Sequence, residues 1–481
     1  MLFNSFAYIL FLPVVFIIYW ILPHKYRWGL LLIASYYFYM SWNPQYIVLI
    51  FGTTAISYFA ALEIEKAEVR GGDKRIFLIA ASVFCLGILF LFKYYNFFIS
   101  SIFESLKIFS IELSPVTLKL ILPVGISFYT FQTLSYVIDV YRGDIKAEHH
   151  FGYYAAFISF FPQLVAGPIE RAENLLPQIK SAKRFNGTVA IDGLKIMLWG
   201  YFKKIVVADT LALYVNQVYG ELRRYDGLAL IVTIFFFSLQ IYCDFSGYSS
   251  IAIGTAKLMG VDLMTNFSAP YFSSSIREFW KRWHISLSTW FRDYVYIPLG
   301  GNRCSALKQN RNLLITFLVS GMWHGADLTF LIWGGLHGCA QIIENIFYKS
   351  IKKVKQWRIG RYLSWLVVFG FCNVTWVFFR ADNLDDAVYV LSNILNGITM
   401  PAAYIQKGYM ALDINGFRLF YLGMLILILV AIDFVTYKKG TLKLACMKNK
   451  GIEWGVYIIL GVFIVLFAQK GVAAEFVYFQ F

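Results

Sequence analysis

Apolar runs long enough to cross a lipid bilayer recur along this chain from its first residues to its last. About 20 apolar residues in a helix span the hydrocarbon layer, where the backbone must form all of its hydrogen bonds internally. Only 15% of the residues are charged, against about 25% in soluble domains. The alternating pattern of membrane β-strands, about ten residues per segment, is absent. The sequence therefore predicts an all-α, polytopic integral membrane protein with a single domain over residues 1–481.

Basic residues outnumber acidic ones and give the chain a net charge of +15. They lie in short segments between the apolar runs, a distribution typical of cytoplasmic loops that face anionic lipids. We therefore expect membrane lipids, and no nucleic acid, as the partners of these charges. The six cysteines are scattered without a CxxC pair, so we expect no disulfide framework and no metal site.

The loop charges predict the orientation of the chain. Residues 349–361 carry six basic residues and residues 438–450 carry five, and neither segment contains an acid. Residues 381–416 carry four aspartates and one lysine. By the positive-inside rule the first two segments are cytoplasmic and the third faces outward. The last apolar run then places the C-terminus at the outer face, and residues 6–22, which lack a cleavage signal, form a retained first helix.

The same charges constrain the segment that contains His324. Residues 277–311 carry seven basic residues. If this stretch and residues 349–361 are both cytoplasmic, residues 312–348 cross the membrane an even number of times, although they are too short for two full spans. A hairpin bent at residues 321–325 satisfies both conditions. Irregular backbone at membrane depth must be buried in protein or line a cavity, so the sequence predicts a cavity at His324.

Residues 277–294 have the pattern of an amphipathic helix. At 100° per residue, basic and polar side chains share one face and aromatic side chains the adjacent one. One interpretation is an interfacial helix with its rings at the lipid headgroups. The other is a basic, aromatic-lined mouth that binds a phosphate-bearing or carrier-bound donor. The candidate residues for donor binding are Trp280, Lys281, Arg282, Ser288 and Arg292.

Several polar residues near the predicted bend are candidates for chemistry. The unperturbed pKa of histidine, about 6.5, suits His324 to proton transfer at neutral pH, although a structural histidine bonded to a carbonyl is the alternative. Trp323 and Asp327 adjoin His324, and His284 precedes it in the basic stretch. Asp244, beside an earlier apolar run, either lines the cavity or pairs with a cation elsewhere.

The C-terminal tail, residues 471–481, ends in aromatic residues around Tyr478. An aromatic anchor at the membrane interface accounts for such a sequence.

Long motifs in the sequence resemble the membrane-bound O-acyltransferases, and in particular the bacterial branch that contains the alginate O-acetylation membrane protein. The motifs are WKRWHISLSTWFRDYVYIPLGG, GMWHGA, GGLHG, LPVGISFYTFQTLSYVIDVYRG, FFPQLVAGPIERA, YCDFSGYSSIAIGTAKLMG and WVFFRADNLDDA. The resemblance extends over nearly the whole chain. It implies a ring of about 11 or more transmembrane and re-entrant helices around a central tunnel, with the acyltransferase core at about residues 120–350.

The resemblance also implies roles for individual residues. His324 matches the essential histidine of the family, and His284 matches the second histidine of the same tunnel. The tail is similar to a short aromatic motif of a small partner in teichoic-acid D-alanylation, which suggests that Tyr478 carries the acyl group as an ester. We thus expect His324 to act as general base, His284 to assist, and Tyr478 to be the acyl carrier.

The function implied is a membrane O-acyltransferase in the bacterial cytoplasmic (inner) membrane. We expect no bound cofactor, a cytoplasmic acyl thioester donor such as acetyl-CoA, an outer-face acetyltransferase partner protein, and a cell-surface or exported polysaccharide as acceptor. Two alternatives remain open. One is D-alanyl transfer to teichoic acid from a carrier protein, and the other is a proton-coupled transporter or flippase.

Overall fold

The computed structural model describes residues 1–107, 116–165, 167–439, 450–467 and 476–477. Every regular element in these ranges is helical, which confirms the all-α fold class. The chain divides into two compact units, residues 1–194 with 251–264 and residues 195–250 with 265–481. The ring, the number of crossings and the single domain over residues 1–481 stay predictions.

The first unit consists of apolar helices at the start of the chain, followed by shorter ones. Its α-helices are Phe6–Ile21, His24–Met40, Ile47–Arg70, Arg75–Leu89, Tyr95–Lys107, Ile126–Arg142, Phe151–Ser159, Phe161–Leu164 and Ala172–Lys180. The helix Gly187–Tyr201 begins in this unit and ends in the second. Ser5 caps the first helix, because its side chain accepts a hydrogen bond from the backbone N–H of Tyr8.

The second unit holds both candidate histidines. Its α-helices are Asp209–Gly220, Gly227–Leu258 (up to residue 250), Ile276–Trp280, Ile285–Phe291, Ala306–His324, Leu328–Ile346, Tyr348–Val354, Arg358–Arg380, Leu384–Asn393, Pro401–Ala411, Gly416–Lys439 and Lys450–Phe467. The π-helical turns Phe202–Ala208 and Arg292–Tyr296 lie between them.

Five helical stretches within the described ranges are long and apolar enough to cross a membrane, which agrees with the predicted polytopic class. They are Pro44–Arg70, Arg75–Lys107, Gly227–Leu258, Arg358–Arg380 and Gly416–Lys438. Many apolar side chains on the stretch Arg75–Lys107 remain outside the core of the protein. Ile79 and Val83, for example, are 60% and 65% exposed, as expected for side chains that face lipid.

The continuous amphipathic helix predicted over residues 277–294 is wrong. The chain forms a helix at Ile276–Trp280, turns, and begins a second helix at Ile285. His284 takes a left-handed conformation with φ of 42° at the junction, which an L-residue rarely adopts. Periodicity does not reveal this break, because the interactions that stabilise it come from a residue far away in the sequence.

Candidate active site

The predicted hairpin forms, but its bend lies at residues 325–327, because residues 321–324 still belong to the first helix. The helix Ala306–His324 ends at the histidine, and the next helix begins at Leu328. The two helices pack closely through Gly321 and Gly334: a methyl group at either glycine would lie 2.3 Å from a backbone oxygen of the opposite helix. The hairpin therefore fixes the position of His324 through contacts between the two backbones.

Asp327 has a structural role in this hairpin. Its side chain caps the helix Leu328–Ile346 by accepting a 2.8 Å hydrogen bond from the backbone N–H of Thr329. Such a cap stabilises a helix by roughly 1 kcal/mol. The structure therefore places Asp327 at the bend, where it helps to orient the histidine-bearing turn.

Aromatic rings surround His324, which is 3% exposed. Its ring centroid lies 4.8 Å from that of Trp323, 5.0 Å from that of Trp333 and 5.2 Å from that of Phe379. The structure thus provides a water-poor environment for the imidazole. In such an environment electrostatic effects on a reacting group are stronger than in water.

His284 lies in the same aromatic cluster and is fully buried. Its ring centroid is 6.1 Å from that of Trp323, which in turn contacts His324. The Nδ1 atom of His284 lies 3.2 Å from the side-chain oxygen of Asn266. The two histidines predicted to act together are therefore both in contact with one indole ring, that of Trp323.

A cavity of about 630 Å³ lies beside this cluster. Four of the five residues predicted for donor binding line it, namely Trp280, Lys281, Ser288 and Arg292. Its wall also contains Ser320, which lies one helical turn before His324 and hence on the same helix face. The cavity thus has basic residues in its lining, but His324, where the cavity was predicted, is not among the lining residues and lies one turn beyond Ser320.

The charges of this cavity suit an anionic ligand. Arg277, Lys281 and Arg292 line it and are exposed. The hydrogen bond from Arg292 to Asp293 raises the pKa of the guanidinium above its ordinary value. Trp280 is held in the wall, because its indole N–H donates a 3.2 Å hydrogen bond to Nδ1 of His337.

Arg282 faces other partners. Its guanidinium binds the carboxylate of Glu278 at 3.1 Å, donates to the backbone oxygen of Ser268 at 3.1 Å, and lies 4.6 Å from the ring centroid of Tyr437. These contacts indicate a structural role for Arg282. Arg282 is the residue of the predicted donor-binding set that the structure does not bring to the cavity.

Asp244 pairs with a cation, as one of its two interpretations predicted. Its Oδ1 atom lies 2.8 Å from Nζ of Lys204, and these side chains are 1% and 2% exposed. Lys204 also binds Asp209 at 2.7 Å. The remaining oxygen of Asp244 accepts a 2.7 Å hydrogen bond from the backbone N–H of Val477. Asp244 therefore connects a buried ion pair to the C-terminal tail.

The described part of the tail is packed into the core. Phe476 is fully buried and Val477 is 5% exposed. The ring centroid of Phe245 lies 5.5 Å from that of Phe476 and 4.6 Å from that of His284, so one ring contacts both. Tyr478, the predicted acyl carrier, follows Val477 in the sequence and lies outside the described residues.

Two residues that the sequence reasoning missed support the site. Asn266 binds His284 and the start of the helix after it, but no local pattern signals a contact over such a separation. Lys204 is different, because adjacent lysines inside an apolar run are a signal: ionisable residues in such runs mark pairs or functional sites. In the described ranges, no three His, Cys, Asp or Glu side chains converge as metal ligands would.

The chain is similar in sequence to known acyltransferases. The family model described as MBOAT, membrane-bound O-acyltransferase family, matches residues 145–381, which include both histidines. The chain is 42% identical to the probable alginate O-acetylase AlgI of Pseudomonas aeruginosa over 388 residues, 80% of this chain and 73% of that protein. It is 37% identical to the peptidoglycan O-acetyltransferase of Helicobacter pylori over 434 residues, 83% of this chain and 81% of that protein.

A more distant similarity connects the chain to the teichoic acid D-alanyltransferase of Bacillus subtilis, which is 28% identical over 256 residues, 51% of this chain and 64% of that protein. All three relatives are named for the transfer of an acyl group. The family match includes the histidine cluster and the basic cavity, and the similarity extends over most of the chain. The chain therefore belongs to the MBOAT family, the membrane-bound O-acyltransferases.

Proposed function

We propose that this multi-pass membrane O-acyltransferase takes an acetyl group from a cytoplasmic thioester, acetyl-CoA or a related donor, for the O-acetylation of a cell-surface or exported polysaccharide. The observation that carries the proposal is the basic cavity whose wall includes Ser320, one turn from the buried His324. The proposed location is the bacterial cytoplasmic (inner) membrane. The names of the alginate and peptidoglycan relatives support a glycan acceptor.

The chemistry of the cavity supports a donor with phosphate groups. Arginine and lysine are the side chains that bind phosphate oxygens most strongly, and Arg277, Lys281 and Arg292 supply three such cations. The indole of Trp280 and the ring of Phe317 offer apolar contact to the thioester end of the donor. A phosphate-bearing acyl thioester therefore matches both the basic and the aromatic residues of the lining.

The reaction follows from the buried histidines. His324 accepts the proton of an attacking hydroxyl, whose oxygen forms a bond to the thioester carbonyl carbon. The carbon–sulfur bond then breaks, and the thiolate that leaves takes the proton back from His324 and departs as a thiol. General base catalysis of this kind contributes about 10²–10⁴-fold to the rate. His284 assists by orienting the reacting groups.

The attacking hydroxyl is proposed to be that of Tyr478. Phe476 and Val477 are fixed in the core, and Phe245 contacts both Phe476 and His284. A phenol, with a pKa of about 10, is a better leaving group than a sugar hydroxyl, so a tyrosyl ester passes its acetyl group on readily. An outer-face acetyltransferase partner would receive the group and deliver it to the polysaccharide.

A second candidate function is D-alanyl transfer to teichoic acid. The similarity to the Bacillus subtilis D-alanyltransferase favours it, although the identity is lower and covers only 51% of the chain. The chemistry at the histidines would be unchanged, and the donor would be a carrier-protein thioester. The transporter alternative loses its support, because the chain belongs to a family of acyltransferases.

Transfer from labelled donors by the purified protein in lipid vesicles tests the proposal. With labelled acetyl-CoA the wild-type protein should acquire label or pass it to added polysaccharide, and His324→Ala should lose this activity. His149→Ala is the matched control, because His149 is 73% exposed and pairs with Glu65. Equal activity in His324→Ala would refute the assignment. Transfer from a D-alanyl carrier thioester but not from acetyl-CoA would favour the second candidate.

A further inference from the structure

Asn266 makes an unusual set of hydrogen bonds around His284. Its backbone oxygen accepts the N–H of Ile285 at 3.0 Å. Its side-chain oxygen accepts the backbone N–H of Ser286 at 3.2 Å and the hydroxyl of Ser286 at 2.9 Å. Asn266 thus caps the helix Ile285–Phe291 from a distance, although His284 is the residue that precedes this helix.

These bonds identify the two ends of the Asn266 amide. A backbone N–H can only donate, so the atom that faces the N–H of Ser286 is the oxygen. The amide nitrogen points the other way and donates to the hydroxyl of Ser249 at 3.3 Å. The backbone fixes the hydrogen of the Ser286 N–H, so this contact determines which end of the Asn266 amide is the oxygen.

The same oxygen determines where the proton of His284 lies. Nδ1 of His284 is 3.2 Å from Oδ1 of Asn266, and an amide oxygen only accepts hydrogen bonds. Nδ1 must therefore carry the hydrogen. In a neutral imidazole one nitrogen donates and the other accepts, so Nε2 holds the lone pair.

The backbone of His284 also depends on Asn266. The left-handed φ of 42° is unfavourable for a histidine, and residues in such conformations persist only where surrounding structure holds them. Two hydrogen bonds to Asn266, from the N–H groups of Ile285 and Ser286, hold the backbone that directly follows His284. Asn266 is itself fully buried, so water does not compete for these bonds.

We propose that Asn266 is a positioning residue that fixes His284 as the Nδ1–H tautomer, so that His284 meets the reacting groups through Nε2 as a hydrogen-bond acceptor. This inference rests on the proposed acyl transfer. The group that hydrogen-bonds to Nε2 of His284 must then be the donor of that bond. The hydroxyl of the acyl acceptor meets this requirement, whereas the carbonyl oxygen of a thioester does not. Neutral His284 is thereby excluded from polarising the thioester carbonyl.

The tautomer can be read directly from ¹⁵N NMR of the full-length protein in lipid vesicles, with labelled histidine and His284→Gln to assign the signal. The wild-type spectrum should show a protonated Nδ1 at neutral pH. Asn266→Leu has a similar size but no acceptor, and it should lose or mix this tautomer. Its kcat for acetyl transfer should fall by at least about ten-fold, as expected when a catalytic histidine is in the wrong tautomer, with the KM for acetyl-CoA unchanged.

Two further variants keep the test decisive if Asn266→Leu does not fold. Asn266→Asp retains the acceptor oxygen, so it should keep the Nδ1–H tautomer and most of the kcat. Ser286→Ala removes one hydroxyl from the network but leaves Asn266 and His284 in contact, and should behave likewise. A protonated Nε2 in the wild type would overturn the inference. So would an Asn266→Leu protein with both the tautomer and the kcat intact, whereas loss of acetyl transfer in the wild type would count against the proposed function instead.

Discussion

The backbone N–H of Val477 donates a 2.7 Å hydrogen bond to the carboxylate of Asp244. The same carboxylate forms an ion pair with Lys204 inside the core. A buried ion pair gains little stability by itself, because desolvation of the two charges offsets their attraction. Because the same carboxylate accepts the backbone N–H of Val477, we expect its role to be to hold Val477 in the core.

Removal of the Asp244 carboxylate should lower both the stability of the protein and the acetylation of the tail. Comparison with Asp209→Ala separates these two effects. Asp244→Ala and Asp209→Ala each remove one of the two acids that bind Lys204, and each should lower the stability, since breaking a buried pair costs about 3–5 kcal/mol. Only Asp244→Ala also removes the acceptor of Val477. Acetylation of the tail, measured at equal amounts of folded protein, should fall much further in Asp244→Ala. Equal losses in the two variants would contradict this role.

The hairpin that presents His324 should tolerate a methyl group at one glycine and not at its neighbour. In Gly334→Ala the new methyl group would lie 2.3 Å from the backbone oxygen of Phe317, so the two helices must move apart. In Gly335→Ala the nearest atom is a side-chain carbon of Leu318 at 3.7 Å, an ordinary contact. Thermal unfolding in detergent should show a clear loss for the first variant and almost none for the second. A similar melting temperature for both would refute the close approach.

Donor binding should depend on Lys281 and not on the basic residue next to it. Lys281 lines the cavity, whereas Arg282 binds Glu278 and the ring of Tyr437. Lys281→Ala should raise the KM for acetyl-CoA by several-fold, and the effect should shrink at high salt because screening weakens charge attraction. Arg282→Ala should leave this KM unchanged and lower only the stability. A higher KM in Arg282→Ala alone would place the donor elsewhere.

The loop charges predict which segments an impermeant thiol reagent can reach in intact cells. In a protein without its native cysteines, Thr399→Cys in the outward segment should be labelled directly. Ser350→Cys in the basic segment should require permeabilised cells. Both positions are exposed, so access to the side chain is not limiting. Labelling of Ser350→Cys in intact cells would overturn the orientation, and with it transfer from a cytoplasmic donor to the outer face.

Features that depend on residues within one short segment could be predicted from the sequence. The hairpin at His324 could be predicted because glycines, apolar length and loop charge all lie within or beside the segment itself. The pattern of basic residues likewise identified Lys281 and Arg292, which both line the cavity although the predicted continuous helix is broken between them. Local sequence carries these signals directly.

The contacts that the sequence did not reveal join distant residues. The break at His284 depends on Asn266, and the role of Asp244 depends on Lys204 and Val477. Arg282 was assigned to the donor site together with the other candidates of residues 277–294, but its partner Tyr437 lies on a much later helix. Such pairings arise from tertiary packing, and helical periodicity contains no information about them.

The proposed mechanism requires that the chain itself carries the acetyl group on Tyr478 and that His324 enables its transfer. Mass spectrometry of the C-terminal peptide, after incubation of the reconstituted protein with acetyl-CoA, measures this directly. We expect an acetyl mass increment on Tyr478 in the wild-type protein and none in His324→Ala or Tyr478→Phe. An unmodified peptide from wild-type protein that still acetylates its acceptor, or an increment that persists in His324→Ala, would contradict it.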